Sequence, residues 1–192
     1  MCIRDRHWYQ PEYIISFVSP WIIPKSVLAS AKKAAINFHP GSPDYPGTGC
    51  YNFALYENSK KYGVTVHHME ETVDTGKIIM TSYFDISPFE TVETLKLKSM
   101  NHLLYCFEKI LSCISCNKPL PVSDEAWARK PFTRKEMEEL FEIDLTNDKK
   151  EDIENKLRAA EYSGSDGAFI TLFGHKFYYS QEKDNASLSW RK

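Results

Sequence analysis

Two polar residues, Asn37 and His39, stand two apart at the end of an apolar run that begins Ala34-Ala35-Ile36. On a strand, residues i and i+2 share a face, so the amide and the imidazole would converge at the strand's end. That pair suits polarising a carbonyl and handling a proton near neutral pH. A third candidate is Asp74 in Val73-Asp74-Thr75-Gly76. Its carboxylate could orient an imidazole or relay a proton from a short loop. A polar strand end and an ordinary Asp-Thr-Gly turn account for the same residues without chemistry.

The stretch after His39 is more rigid than a chain reversal needs. Prolines at 40, 43 and 46 fix backbone angles, and glycines at 41, 47 and 49 open conformations other residues avoid. Other chemistry-bearing residues lead less far. His67 and His68 are adjacent on a predicted strand and face opposite ways, one toward the core and one toward the crevice, so they do not form a pair. Cys113, Cys116, Cys106 and His102 all fall on one predicted helix, where positions 102 and 116 lie about 21 Å apart by the helical rise. They cannot share one ion within this chain, and no metal site is expected. There is no nucleophile elbow and no phosphate-cradling glycine loop.

The elements that would position these residues are readable from periodicity. Tyr13–Ser19 and Ala34–His39 are predicted buried strands, with a short helix between them that opens at Pro24 and runs through Ala31. Cys50–Ser59 has helical spacing, and Gly63–Met69 and Lys77–Ile86 have strand composition around the polar loop Glu70–Gly76. Ser87-Pro88-Phe89-Glu90 predicts a helix start, and the helix runs to about Cys116 with Leu95, Leu103, Leu104, Phe107, Ile110 and Leu111 among its apolar positions. Strands alternating with helices predict an α/β fold whose sheet is parallel at least in part. Asn117–Pro121 marks a boundary. Beyond it, residues 121–192 form a small α+β appendage of two charged helices and a hairpin turning at Gly174-His175. Residues 1–12 have no periodicity and are set aside as a scar or ragged start.

Bulk properties narrow the class. The chain has 192 residues, 42% hydrophobic and 14% aromatic, enough for a packed core. A formal net charge of −2 does not argue for a polyanionic partner. No apolar run approaches the roughly 18–20 residues of a membrane span. Five irregularly spaced cysteines and no visible secretory signal make a reducing cytoplasm the default.

INFHPGSPDYPG, then GVTVHHM, then VDTGKI together resemble the formyltransferase family that uses 10-formyltetrahydrofolate. The match runs in order and spacing over about residues 13–86. The resemblance implies an open, mostly parallel Rossmann-like sheet, with residues 13–120 as the C-terminal part of the catalytic domain. It implies Asn37, His39 and Asp74 as the catalytic trio, with no metal. It places the donor's pterin head against Trp21, Ile22 and Ile23 and the loop Glu70–Asp74, with Glu71, Thr72 and Val73 as contacts. It makes Ser42, Tyr45 and Gly47 part of an acceptor-facing loop, here one residue shorter than the common pattern. The family's domain begins with further β-α units, so an N-terminal truncation is expected.

The resemblance also bears on the acceptor. Members acting on initiator tRNA carry a larger, basic C-terminal domain. Here residues 121–192 hold 12 Lys/Arg against 15 Asp/Glu. The stretch Ile153–Ala159 followed by Gly167-Ala168-Phe169 resembles the short appendage of sugar-nucleotide N-formyltransferases. A nucleotide-linked amino sugar is therefore the expected acceptor, ahead of methionyl-tRNA. A folate deformylase and a non-catalytic folate-binding fragment are the remaining readings. Phe169, Phe173, Phe177 and Tyr179 on the terminal hairpin suggest a homodimer edge.

Overall fold

A computed structural model describes residues 10–180, so residues 1–9 of the stretch set aside above lie outside the described residues. Four strands form one sheet in the order β1-β2-β3-β4: β1 Tyr13–Phe17, β2 Ala34–His39, β3 Lys61–His68 and β4 Ile78–Asp85. β1 and β2 are parallel, with Tyr13 opposite Ala34 and Phe17 opposite Phe38. β2–β3 and β3–β4 are antiparallel, so among the described strands the sheet is mixed rather than mostly parallel. The loop between His68 and Ile78 is too short for the crossover a parallel pair requires, and it turns the chain straight back. β1 is also less buried than its composition suggests: only Ser16 is fully covered, and Ile15 is exposed.

The first helical turn, α1 (Lys25–Leu28), is shorter than predicted and has Pro24 at its N-cap. α2 (Cys50–Tyr56) follows the Pro/Gly loop. The long helix α3 (Val92–Ser115) begins later than the Ser87–Glu90 signal, at Thr91. Thr91 and Thr94 form a reciprocal capping pair there. Ser87–Glu90 instead closes a turn, with Glu90 N–H donating to the Ser87 carbonyl at 3.0 Å. The buried Glu90 carboxylate is ion-paired to Lys98. Leu95, Leu103, Cys106 and Ile110 of α3 are buried, whereas Leu104 and Leu111 face outward.

α3 spans two hydrophobic clusters. Its C-terminal half packs Leu103, Cys106 and Ile110 on Ile36, Phe38, Val64, Val66 and Ile79 of the sheet. Its N-terminal end, through Val92 and Leu95, joins a second cluster with Phe53, Leu55 and Tyr62. That second cluster also takes Leu140 and Phe141 of α4 (Arg134–Phe141), Ala160 of α5 (Lys150–Ala160) and Phe169 of β5 (Phe169–Leu172). β5 pairs antiparallel with β6 (His175–Tyr178). Leu172 is opposite His175, so the turn residues are Phe173 and Gly174 rather than Gly174 and His175. Both have positive φ, 52° and 81°, which a two-residue hairpin turn twisted with its strands requires.

Candidate active site

The two strand ends that meet at the sheet's centre assemble the polar cluster. Asn37 on β2 lies opposite His67 on β3, and their side chains approach to 3.2 Å between Nδ2 and Nε2. Asp74 reaches the same point from the β3–β4 loop. One carboxylate oxygen, Oδ1, faces His67 Nε2 at 3.1 Å and accepts from Asn37 Nδ2 at 3.4 Å. The other, Oδ2, faces His39 Nδ1 at 3.1 Å and accepts the Gly47 backbone N–H at 2.8 Å. One buried carboxylate thus sits between two buried imidazoles, an amide and a backbone N–H.

The backbone around this cluster is constrained. Asp74 is held at φ 48°, in the left-handed region that Asp tolerates better than most residues. A β-bulge interrupts the β3–β4 register between Val66 and His67, where such devices re-aim side chains. Gly41 lies so close under His39 that a Cβ there would stand 2.5 Å from His39 Nε2. Gly47, at φ 86°, would put a Cβ 2.4 Å from the Phe132 carbonyl oxygen. These two positions require glycine for room, and Gly47 for its backbone angle as well.

The electrostatics follow from burial and contacts. Burial pushes the Asp74 carboxyl up, but His39, His67 and the Gly47 N–H outweigh it and hold it down to about 2. Burial lowers the pKa of His39 below its ordinary value, against the pull of Asp74 and of the Tyr45 carbonyl. The Tyr45 carbonyl oxygen stands 2.9 Å from His39 Nε2. A neutral ring can donate to only one of its two oxygen neighbours, whereas a protonated ring satisfies both. His39 is thus neutral at rest yet built to take a proton. Cys50 also lines the site, but burial raises its thiol to about 12, which removes it as a nucleophile.

Asn37, His39, His67 and Asp74 all line one cleft of about 740 Å³. Trp21, Ile22 and Ile23 line it on one side, and Glu71, Thr72 and Val73 on another. Trp21 and Ile22 are 78% and 72% exposed, apolar surface at the rim of a polar-headed cavity. Lys25 and Glu71 form an exposed ion pair that joins the α1 segment to the loop before Asp74. In the expected acceptor loop, Gly47 lines the cleft but Ser42 and Tyr45 do not. Ser42 Oγ is buried and donates to Asp44 at 3.2 Å, and the Tyr45 ring packs in the core with its hydroxyl on Glu57 at 2.8 Å.

Three residues here were not singled out by sequence. Alternation alone places His67 and His68 on opposite faces, and the pairing with Asn37 decides which way His67 faces. Arg134 lines the cleft from the N-terminal end of α4. Trp127 sits in the extended segment before α4, its ring edge-on to His39 and His67, with centroids 5.9 and 5.1 Å away. An isolated Trp in a polar stretch was the one signal for it.

Residues 3–105 match the formyl transferase family. The chain belongs to that family. Over 159 residues it is 28% identical to the methionyl-tRNA formyltransferase of Leptospira interrogans, covering 82% of this chain and 50% of that protein. Over 104 residues it is 27% identical to the GDP-perosamine N-formyltransferase of Brucella melitensis, covering 54% of this chain and 40% of that one. The chain therefore spans half or less of these curated relatives. Among solved structures, a sugar N-formyltransferase from Shewanella aligns with a TM-score of 0.74 at 21% identity, covering 92% of this chain and 71% of that chain. An N-formyltransferase from Helicobacter canadensis, solved with folinic acid and dTDP-3-aminofucose, aligns at 0.72 and 20% identity, covering 92% and 64%. These likenesses show the family's fold. No helix among the described residues is long and apolar enough to cross a membrane.

Proposed function

We propose that this chain carries the donor-binding and catalytic part of an enzyme that moves a formyl group from 10-formyltetrahydrofolate to an amine. The acceptor in this reading is the amino group of a nucleotide-linked sugar. The observation that carries it is Asp74, buried at φ 48° between His39 and His67 at the head of the cleft. The apolar rim of Trp21, Ile22 and Val73 supports a flat, partly apolar ring such as a pterin against that side.

When bound, the donor supplies a formyl carbon that an amine can attack, forming the new C–N bond as the bond to the folate nitrogen breaks. Asn37 turns its loosely held N–H, 3.4 Å from Asp74, toward the formyl oxygen as negative charge develops there. His39 exchanges the Tyr45 carbonyl for the same oxygen at Nε2. Asp74 stabilises the protonated form of His39 and passes the amine's proton toward the departing nitrogen. His67 keeps Oδ1 fixed so that Oδ2 stays on His39.

Arg134 at the cleft supports an anionic acceptor. The Helicobacter canadensis protein was solved with a sugar nucleotide and a folate, and its fold covers most of this chain. A tRNA acceptor is the second reading, favoured by the names of several curated relatives. Formyl transfer assayed with amino-sugar nucleotides and with methionyl-tRNA in parallel decides between them. Turnover on the sugar nucleotide alone is expected. Turnover on tRNA alone overturns the acceptor, and no binding of a folate analogue overturns the donor.

A further inference from the structure

The segment between Leu120 and α4 has no regular secondary structure beyond one bridge, yet it is bonded along its length to the two loops that carry the polar cluster. Ala128 N–H donates to Pro43 O at 3.0 Å, Phe132 N–H to Pro46 O at 2.9 Å, and Thr48 N–H to Phe132 O at 2.9 Å. The Phe132 ring stacks on Phe53 at 3.7 Å, and Arg129 pairs with Glu57 at 3.0 Å. All of these fix the segment to the His39 side. Trp127 alone crosses to the other loop: its indole N–H donates to the Gly76 carbonyl, two residues beyond Asp74, at 2.8 Å.

That crossing matters because the Asp74 loop is strained and tightly threaded. Asp74 is at positive φ, and a Cβ on Gly76 would stand 1.8 Å from the His68 carbonyl oxygen. Strained conformations persist only where their surroundings over-determine them. Trp127 does not line the cleft, so its ring meets both imidazoles from another side. We propose that Trp127 is a positioning residue: it ties the Asp74 loop to the His39 loop and keeps water off both imidazoles from the side away from the substrates. It touches neither substrate and acts through His39, His67 and Asp74.

The groups facing the imidazoles determine what its loss does. His39 faces Asp74, the Tyr45 carbonyl and His67; His67 faces Asp74, Asn37 and the His68 carbonyl. Beyond His67, Glu70 and Lys77 act on His68. When Trp127 is removed the Asp74 loop opens more often, but in the closed form Asp74 keeps its Gly47 and imidazole contacts, so admitted water is the change His39 registers. Water favours the charged ring, and the His39 midpoint moves up.

The test is a histidine side-chain NMR titration of the 192-residue chain with Trp127→Ala, Trp127→Phe and Glu125→Gln. Glu125 anchors the same segment to Thr81 and Tyr83, away from the imidazoles. Trp127→Ala is expected to raise the His39 midpoint by about half a pH unit or more. Glu125→Gln is expected to leave it in place. A folded Trp127→Ala protein that titrates like the parent, or an equal shift in Glu125→Gln, overturns the proposal. Where Trp127→Ala does not fold, Trp127→Phe decides, since it keeps a ring and loses the N–H. Exchange of the Gly47 amide, which donates to Asp74 Oδ2, is then expected to speed up about tenfold, and unchanged protection overturns the proposal. A kinetic arm rests on the proposed function: in Trp127→Ala, kcat falls about 10- to 100-fold with donor KM held. The titration and exchange arms read out without formyl transfer, so they can fail independently of it.

Discussion

The head of the cleft and the tip of the C-terminal hairpin use the same backbone device under opposite conditions. Each has a non-glycine residue in the left-handed region, Asp74 at φ 48° and Phe173 at φ 52°. Each also has a left-handed glycine, Gly47 at 86° and Gly174 at 81°. Asp74 is 4% exposed and its carboxylate has four partners, whereas Phe173 is fully exposed. A Cβ on Gly47 would overlap the Phe132 backbone, and one on Gly174 would meet nothing within 4 Å. In the cleft, tertiary contacts impose the unusual angle; in the hairpin, the turn alone does. The same φ therefore marks a tertiary constraint in one place and local turn geometry in the other.

The largest effect that separates the two regions is on activity. Asp74→Asn keeps the side chain's shape but removes the charge between His39 and His67. On the proposed function, formyl transfer should fall about 10²–10⁴-fold, measured as kcat under saturating donor. Gly174→Ala should leave the same constant within about a factor of two, because the hairpin tip lies outside the cleft. Comparable losses in both would break the comparison.

Stability gives the next contrast. Gly47→Ala adds steric overlap with Phe132 to the cost of a left-handed alanine, for about 2–4 kcal/mol. Gly174→Ala carries only the backbone term, about 1–2 kcal/mol. Urea unfolding of the two variants measures the difference. Equal midpoints would mean that the segment carrying Phe132 gives way at no cost.

Acid should find the cleft before the hairpin. The Asp74 carboxyl is lowered in the fold from 3.8 to about 2, so the folded state binds its proton less readily than the unfolded chain does. Its contribution, about 2 kcal/mol, is present above pH 3.8 and is lost as pH falls through the folded value. His39 acts in the same direction at higher pH. Its pKa is below 6.5 in the fold, so stability declines as pH drops below 6.5 and the unfolded chain takes up the proton first. Unfolding followed from pH 7 to about pH 2 should show this decline, and Asp74→Asn should flatten its lower part. A lower part as steep in the variant would move the acid sensitivity elsewhere.

Much of the site was legible because strand periodicity is strict. Asn37 and His39 share a face by counting alone. Asp74 is a candidate by residue type alone, and the resemblance separates it from an ordinary turn and adds the apolar rim, which no local pattern distinguishes from a loop. His67 was not legible: alternation puts His67 and His68 on opposite faces without saying which faces inward. The antiparallel register that sets Asn37 opposite His67 is a long-range fact. The short loop after β3 was a readable signal against parallel pairing, outweighed by the alternation of elements. Trp127 lies 51 residues from the carbonyl it binds, in a segment with no period. Ser87–Glu90 shows the converse failure, since a genuine capping pattern closes a turn while Thr91 starts the helix.

The smallest effect is a gain. A two-residue turn with both φ positive favours Asn followed by Gly, and Phe at the first position adopts the left-handed region reluctantly. Phe173 offers no burial to offset that cost, since its ring is fully exposed and β6 beside it is exposed along its length. Phe173→Asn should therefore stabilise the chain by about 0.5–1 kcal/mol, read as a higher urea midpoint at unchanged slope. The same logic forbids a gain at Asp74, where Asn also tolerates the angle but loses the carboxylate oxygens that accept from Asn37 and Gly47 and face both imidazoles. A Phe173→Asn chain less stable than its parent would mean that the Phe173 ring contributes more than its left-handed backbone costs. The hairpin would then resemble the cleft, with its backbone angle imposed by packing rather than by the turn.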